Sequence, residues 1–300
     1  MNNSINNRKG ILLMLVAMAG FTLEDAFIKQ LSSTISTGQI LMVVGFFGAV
    51  IFALLALTRG RKIFVPSVWA RATIARMIAE TVAAVAFVTS LSLVPISTVA
   101  AVFQVTPLTI TMGAALFLGE RVGWRRWTAV GVGFSGVLLI IRPGFTGFDP
   151  SVLWVLVAVV GVAVRDLVTR AIPASVESSI ISFQAFSALA VTGVLMLLVN
   201  PHGMVSMASN ELVYFACAIV FSVSGYYAIV AAMRVGDASV VSSFRYSRLL
   251  FSLLVGVFVF NENVDMPTLI GSGIIIATGL YTFVRERRVI TDRREYGSPL

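Results

Sequence analysis

Long apolar stretches separated by short polar breaks run along almost the whole chain. A helix needs about 20 apolar residues to cross the ~30 Å hydrocarbon layer of a bilayer, and the chain contains ten stretches of about this length. They predict membrane-spanning helices at residues 11–31, 39–58, 72–93, 96–118, 125–141, 151–170, 178–199, 211–233, 238–260 and 267–284. The breaks carry charge, Gly, Pro or Asn and are too short to hold an inserted soluble domain. The pattern therefore predicts an all-α polytopic membrane protein.

The two ends of the chain are predicted to differ in character. Arg8 and Lys9 before the first apolar stretch are typical of a signal peptide, but the stretch continues to Leu31, so we expect a retained first helix. The last residues, from Arg285 onward, are polar and charged. We expect residues 286–300 to form a disordered cytoplasmic tail.

The composition excludes most other classes of protein. Of 300 residues 58% are hydrophobic and only 12% charged, with a mean hydropathy of +0.94, whereas soluble domains carry about 25% charged residues. A soluble enzyme, a disordered protein and a secreted disulfide scaffold are therefore excluded, and the single cysteine, Cys217, cannot form an internal disulfide. The only histidine is His202, so we expect no metal site and no cofactor.

The distribution of basic residues predicts the topology. If the N-terminus is cytoplasmic, 16 of the 22 Lys and Arg residues lie at cytoplasmic ends, five lie within spans, and only Arg142 is outside. This bias predicts that both termini are cytoplasmic and that the number of spans is even. It also explains the net charge of +8 by contact with anionic headgroups. Membrane lipid is thus an expected partner, and nucleic acid is not.

The two halves of the chain resemble each other in sequence. Residues 97–104 align with 238–245 at an offset of 141, and residues 119–122 align with 261–264 at an offset of 142. Each repeat contains five predicted spans, an odd number, so the second copy enters the membrane from the opposite side. Inverted repeats are typical of alternating-access transporters that hold substrate near the membrane midplane. We therefore predict two five-helix repeats, at residues 1–142 and 143–285.

Charged residues inside the spans are the strongest functional signal, because each costs about 2.5–3.5 kcal/mol to insert. Asp25 and Lys29 are four residues apart, as are Arg76 and Glu80, so each pair can meet on one helix face. The candidate carboxylates, either for proton coupling or for ion pairs that fix packing, are Glu24, Asp25, Glu80 and Asp166.

Two arginines of the ninth span, Arg245 and Arg248, are the leading candidates for substrate binding. A guanidinium group can clamp a carboxylate or stack on an aromatic ring, but these arginines could equally pair with carboxylates of other helices. We expect a substrate site that contains both arginines and six further residues. Its members are Arg245, Arg248, Tyr246, Phe103, Gln104, Gln184, Tyr226 and Glu24. For each polar or aromatic member, simple helix–helix packing is the alternative.

Two further features of the spans have structural interpretations. Pro107 removes a backbone hydrogen bond in mid-span, which either kinks the helix or exposes a carbonyl to a ligand. Residues 131–136 match the G-x-G-x-x-G pattern, but they lie inside a span and follow no strand. Close packing of helices explains these glycines better than dinucleotide binding.

Pro107, the Gly119-Glu120-Arg121 segment, Gly131 and Gly136, together with ten spans in two repeats, resemble the EamA family of the drug/metabolite transporter superfamily. The resemblance covers residues 8–286. It implies a basket of helices around a central cavity that opens alternately to either side of the membrane. It also implies that spans one, three, four, six, eight and nine line the cavity.

Within that family, residues 243–250 and 24–29 are similar to the branch that contains the bacterial riboflavin and S-adenosylmethionine uptake carriers. One departure is Gly45, where many relatives carry an arginine. The resemblance implies a secondary transporter of the bacterial inner membrane that takes up riboflavin or a similar planar metabolite. S-adenosylmethionine uptake and export of amino acids or drugs are the alternatives.

We do not expect an enzyme, since the only histidine lies in a loop and no nucleophile with a general base is evident. The chain contains no G-x-x-x-x-G-K-[ST] motif, which excludes energisation by nucleotide hydrolysis at such a site. The expected partner is a small-molecule substrate, and a homodimer is an open alternative.

Overall fold

The computed structural model describes residues 6–64, 69–119, 123–143, 148–169, 171–172, 176–199, 203–235 and 241–296, which fold entirely into helices, turns and connecting segments. The α-helices are α1 (Asn7–Leu31), α2 (Thr37–Thr58), α3 (Arg71–Leu93), α4 (Ile96–Phe103), α5 (Thr106–Phe117), α6 (Trp124–Ile141), α7 (Leu153–Thr169), α8 (Ser178–Val199), α9 (Ser209–Val235), α10 (Ser247–Phe260) and α11 (Met266–Tyr296). Two 3-10 segments, Pro150–Val152 and Ser242–Tyr246, run into α7 and α10.

These elements correspond to the apolar stretches of the sequence. Helices α4 and α5 are two pieces of one stretch, and the second 3-10 segment continues into α10, so the described chain has ten helical stretches. Seven helices among the described residues are long and apolar enough to cross a membrane. The chain is a multi-pass membrane protein, as its hydropathy predicts.

The expectation of a disordered tail is wrong for most of its length. Helix α11 continues through the polar residues to Tyr296. The segment from Arg285 to Tyr296 contains no Pro or Gly and is rich in Arg and Glu, which favour helix. A helix begun in the apolar stretch can therefore continue beyond it. Residues 297–300 lie outside the described part of the chain.

Local signals set several helix ends. Ser36 caps the start of α2, where its Oγ accepts a hydrogen bond from the Gln39 backbone N–H at 3.3 Å. Four residues that follow helices have positive φ: Gly60 after α2, Gly119 after α5, with φ of 66°, Arg142 after α6, and Asn261 after α10, with φ of 52°. Of these, Gly119 and Asn261 are aligned with each other by the offset of 142.

The chain divides into two compact units, each assembled from both halves of the sequence. The first unit comprises Met1–Thr22, Ala100–Asp149 and Ser224–Leu300, and the second comprises Leu23–Val99 and Pro150–Val223. The predicted repeats at 1–142 and 143–285 describe a different, sequence-based division, which stays a prediction.

Small residues bring helices together inside the second unit. A Cβ atom on Gly45 of α2 would lie 2.8 Å from Cα of Ala190 on α8, and one on Gly161 of α7 would lie 2.9 Å from Cβ of Ala83 on α3. Such contacts let helix backbones approach closely. The position of Gly45 therefore has no room for a larger side chain, because α8 occupies the space.

The first unit contains an equivalent close contact between α6 and α11. A Cβ on Gly136 would lie 2.8 Å from the carbonyl oxygen of Gly271, and a Cβ on Gly133 would overlap the side chain of Leu108. The packing interpretation of the glycine-rich motif is confirmed at Gly133 and Gly136. No neighbouring helix among the described residues comes within 4 Å of a Cβ placed on Gly131, so this glycine is not part of the contact.

Polar side chains join the connecting segments of the second unit. Fully buried Gln39 of α2 binds the backbone of Val205 twice, donating from Nε2 to the carbonyl at 2.9 Å and accepting the Val205 N–H at 3.0 Å. The Ser36 hydroxyl donates to the Gly203 carbonyl at 2.6 Å. The extended segment before α9 is thereby fastened to the start of α2.

Candidate functional site

The fourth apolar stretch is broken in its middle. Helix α4 ends at Phe103, and the next two N–H groups, of Gln104 and Val105, donate to carbonyls only three residues back, at 3.3 and 3.1 Å. The Thr106 hydroxyl donates to the Phe103 carbonyl at 2.5 Å. Pro107 then opens α5, where its missing N–H costs nothing. Of the two alternatives for Pro107, an interruption of the helix is observed, as a break between two short helices.

The ninth stretch is irregular at the corresponding place. The 3-10 segment Ser242–Tyr246 precedes α10, and the Ser247 hydroxyl donates to the Phe244 carbonyl at 2.7 Å. The sequence offset of 141 carries Phe103 to Phe244 and Thr106 to Ser247. Both breaks therefore lie at aligned positions, and both are closed by a hydroxyl that binds the carbonyl three residues earlier.

Arg248 lies beside these breaks, in the first turn of α10. Its guanidinium carbon is 5.5 Å from the centroid of the Phe21 ring on α1 and 5.8 Å from the centroid of the Phe103 ring at the end of α4. Both distances are within the range of cation–π attraction. We call Phe21, Phe103 and Arg248 the arginine–aromatic site. Arg248 and Phe103, two candidates for the substrate site, thus lie together within the first unit.

Hydroxyl contacts between α1 and α10 position this site. Thr22 and Ser252 are both buried, and their hydroxyl oxygens lie 3.4 Å apart. The Thr22 hydroxyl also donates to the Met18 carbonyl at 3.0 Å, one turn back on α1. Since Ser252 lies one turn after Arg248, this contact fixes the part of α10 that carries the arginine against the part of α1 that carries Phe21.

The other predicted residues of the first unit have different surroundings. The Tyr246 hydroxyl lies in contact with Gly279 of α11, so this side chain packs against a helix. Arg245 is exposed, whereas Gln104 and Tyr226 are half-buried. The structure thus brings Arg248 and Phe103 together and directs Tyr246 into a helix–helix contact.

In the second unit the charges of α3 and α7 form a network that we call the ion-pair cluster: Arg76, Glu80, Arg165 and Asp166. Arg76 Nη2 is 3.2 Å from Glu80 Oε2, which confirms the predicted pair on one helix face. Arg165 Nη1 is 2.9 Å from Glu80 Oε1, and its Nε is 2.8 Å from Asp166 Oδ1. Two arginines and two carboxylates therefore neutralise one another.

Hydroxyl contacts extend the ion-pair cluster to the end of α7. Arg76 Nε donates to Thr169 Oγ1 at 3.1 Å, and the Thr169 hydroxyl donates to the Arg165 carbonyl at 2.6 Å. The cluster thus joins the first turns of α3 to the last turn of α7. This geometry is that of helix–helix pairing, the alternative role for Glu80 and Asp166; a part in proton coupling stays a prediction.

The remaining predicted residues of the second unit lie on α1 and α8. Asp25 and Gln184 are buried and Glu24 is half-buried. Lys29 Nζ donates to the carbonyls of Leu91 and Val94 at 3.1 and 2.7 Å, so this lysine caps the C-terminal end of α3.

Ion pairs in the connecting segments shift the pKa of two carboxyl groups outside the spans. Hydrogen bonds from Arg59, at 3.0 Å, and from Arg61, at 2.6 Å, lower the pKa of Glu177 below its ordinary value, against the opposing effect of burial. Burial acts to raise the pKa of Asp265, but hydrogen bonds from Thr268 and Arg142 outweigh it and lower the pKa.

Sequence reasoning missed several residues of these sites. Phe21, Thr22 and Ser252 carry no charge, so the insertion-cost argument passes over them. A usable signal existed for Phe21 and Thr22, since an aromatic and a hydroxyl side chain precede the acidic pair Glu24-Asp25 by less than one turn. The partnership of Arg165 with Glu80 joins residues far apart in sequence, and no local spacing indicates it.

Comparison with known proteins agrees with this architecture. The EamA-like transporter family matches residues 8–142 and 149–284. The chain is 30% identical over 208 residues to the S-adenosylmethionine uptake transporter of Rickettsia conorii, covering 68% of this chain and 69% of the relative. It is 26% identical over 210 residues to the riboflavin transporter of Rhizobium johnstonii, covering 68% and 67%. A solved crystal structure with 16% identity shares the fold at a TM-score of 0.64, covering 95% of this chain and 99% of that one.

Proposed function

Because the chain belongs to the EamA-like transporter family, we propose that it is a secondary transporter of a planar organic metabolite in the bacterial inner membrane, working by alternating access. Riboflavin is our first candidate substrate. The observation that carries the proposal is the position of Arg248 against the rings of Phe21 and Phe103, beside two breaks in membrane-embedded helices.

The helix breaks support a binding site at this place. Irregular backbone at membrane depth is tolerated where it is buried in protein or lines a water-filled cavity. Interrupted helices in corresponding positions of two repeats are the usual location of transporter binding sites. The breaks at Gln104-Val105 and at Ser242–Tyr246 have this arrangement along the sequence.

Several local features support the inverted repeats at 1–142 and 143–285. Thr106 and Ser247 make the same contact with the carbonyl three residues earlier, and Gly119 and Asn261 share the left-handed conformation at the end of their helices. We infer that the chain contains one kind of five-helix unit twice, in two opposite membrane orientations. We also propose that both termini lie on the cytoplasmic side.

The chemistry of the arginine–aromatic site fits a planar ring that bears hydrogen-bond acceptors. The Arg248 guanidinium carbon lies over the Phe21 and Phe103 rings, and the guanidinium N–H groups lie in the plane of that group. A flat heteroaromatic ring can stack with the phenyl rings and accept from those N–H groups. Riboflavin offers such a ring system, and Gln104 and Tyr226 are our candidates for further polar contacts.

S-adenosylmethionine is the second candidate, and a specific observation favours it. A relative named for its uptake is 30% identical to this chain, against 26% for one named for riboflavin transport. Its adenine ring can occupy the same aromatic surroundings, and its carboxylate can pair with Arg248. Uptake is the direction that the first relative's name states, and we propose it here.

The test is uptake of labelled riboflavin and, in parallel, labelled S-adenosylmethionine by riboflavin-auxotrophic bacteria that express the chain. Arg248→Gln is the site variant. Arg125→Gln is its matched control, because the Arg125 guanidinium carbon also lies over a ring, 5.3 Å from the Trp124 centroid, but at the exposed start of α6.

The expected result is saturable riboflavin uptake whose half-saturating concentration rises at least about tenfold in Arg248→Gln and stays unchanged in Arg125→Gln. Saturable uptake of S-adenosylmethionine alone would replace the first candidate with the second. Failure of a well-inserted chain to take up either compound would contradict the proposed substrate class. An unchanged half-saturating concentration in Arg248→Gln would remove the arginine–aromatic site from the mechanism.

A further inference from the structure

An open groove runs between α3 and α7 on the apolar surface of the second unit. It has a volume of about 590 Å³. The side chains that line it include Ala75, Ile78 and Val82 of α3 and Leu156, Val160 and Val164 of α7. Exposed Ile and Val side chains at membrane depth face acyl chains. The groove is therefore a concave surface for hydrocarbon, and it shares no residue with the arginine–aromatic site.

One end of the groove meets the level of the lipid headgroups. Trp69 is half-buried just before α3 and donates from Nε1 to the Ile63 carbonyl at 3.2 Å. Tryptophan is enriched at membrane interfaces, and α7 ends at Thr169, which binds Arg76 near the start of α3. The positive-inside pattern assigns this end of the helices to the cytoplasmic leaflet.

Arg71 provides a positive charge at that end. It is exposed and opens α3, and it lies four residues before Ala75, so the two share one helix face about 6 Å apart along the axis. A long basic side chain in this place extends toward the interface. The same stripe of α3 thus carries a cation at headgroup level and then a run of apolar side chains at acyl-chain depth.

From this arrangement we propose that the α3–α7 groove binds one acyl chain of an anionic phospholipid whose phosphate pairs with Arg71. The alternative basic groups of these helices, Arg76 and Arg165, are engaged in the ion-pair cluster, so Arg71 gives the site its preference for anionic headgroups. The lipid covers the face where α3 and α7 meet and stabilises that helix pair.

The test uses the full chain, purified in mild detergent and titrated with phosphatidylglycerol or phosphatidylcholine while lipid retention is followed by native mass spectrometry. Arg71→Gln removes the headgroup partner, and Arg125→Gln is the matched control at another exposed helix start. Ala75→Phe fills the groove, and Ala216→Phe adds the same volume at an exposed alanine of α9. A phosphatidylglycerol probe with a photoreactive acyl chain locates the contact.

We expect Arg71→Gln to weaken retention of phosphatidylglycerol about fivefold, the effect of one interfacial charge, with phosphatidylcholine unaffected. Ala75→Phe lowers retention of both lipids and removes crosslinks to α3 and α7, while both controls behave as wild type. Equal losses in Arg71→Gln and Arg125→Gln would overturn the site in favour of diffuse attraction. Undiminished crosslinking in Ala75→Phe would overturn the groove, and loss of a dimer in that variant would assign the face to a second copy.

Discussion

The arginine–aromatic site and the ion-pair cluster each stabilise an arginine in a membrane helix, but they do so through different contacts. Arg248 lies against the rings of Phe21 and Phe103, whereas Arg165 is hydrogen-bonded to Glu80 and Asp166. Rings engage the face of a guanidinium group, and carboxylates engage its edge. We propose that substrate binds Arg248 while the Phe21 and Phe103 rings keep the guanidinium group in position.

We propose that this difference separates a substrate-binding arginine, Arg248, from a structural one, Arg165. The ion-pair cluster joins α3 to α7 through contacts at both oxygens of Glu80, and a substrate could replace them only by breaking the helix pair. We therefore expect changes in the cluster to reduce folding and changes at the arginine–aromatic site to reduce transport.

The largest effect is expected from Arg165→Met. Removing this side chain leaves half-buried Glu80 and Asp166 without their shared partner. Breaking a fully buried pair costs about 3–5 kcal/mol, and the partial exposure of Asp166 places the expected loss at the lower end of that range. Thermal melting of the detergent-solubilised chain should show a strong loss of stability together with a low yield. A normal melting temperature in Arg165→Met would show that the cluster is not structural.

The next effect is expected from Arg248→Gln, now measured for stability as well as transport. Losing a charged hydrogen bond to substrate costs about 1.5–3 kcal/mol, so the concentration for half-maximal uptake should rise at least about tenfold, while the melting temperature stays near that of wild type. An equal loss of stability in Arg248→Gln and Arg165→Met would contradict the proposal that only the ion-pair cluster is structural.

A smaller effect is expected from Phe21→Leu, which keeps apolar volume and removes one ring from Arg248. Because the Phe21 ring holds the half-buried Arg248 guanidinium in place, losing a contact of about 0.5–1 kcal/mol should raise the half-saturating concentration about twofold to fivefold. Phe27→Leu is the control, since the Phe27 ring stacks on Phe221, 5.9 Å away, elsewhere on the same helix. Equal transport defects in both variants would indicate general packing of α1.

The smallest effect concerns pH and the pairs of Glu177 with Arg59 and Arg61. Because the pKa of Glu177 is lowered by folding, the native state binds fewer protons there, so the pairs stabilise the protein above the ordinary pKa of 4.5 and lose this effect as pH falls through the lowered value. The contribution is below about 1 kcal/mol, since the arginines are exposed. Melting temperatures measured across that range should fall more steeply for wild type than for Glu177→Gln.

Much of the fold could be predicted because apolar length determines what can cross a membrane. The starts and ends of α2, α3 and α8 lie within two residues of the predicted spans. The pair of Arg76 with Glu80 could be predicted because helix periodicity fixes it. Local sequence rules cannot predict the contact of Arg165 with Glu80, because that contact depends on how α3 packs against α7. They also cannot predict that the Phe21 ring lies near Arg248.

The C-terminal tail and the helix breaks show two cases in which hydropathy does not predict where a helix ends. Helix α11 extends beyond its apolar stretch to Tyr296, because the polar residues there have high helix propensity. The break after Phe103 lies inside an apolar stretch, where hydropathy predicts a continuous helix and only Pro107 indicates an interruption.

The attachment of Gln39 to Val205 has a consequence for how the family's loops can diversify. The amide of Gln39 binds the N–H and carbonyl of Val205, groups that every residue except proline presents in the same way. The segment before α9 can therefore change its side chains over evolutionary time without losing its anchor, provided that glutamine and a non-proline partner persist. A loop held by its backbone is free to acquire new surface chemistry while the helices that it joins keep their positions.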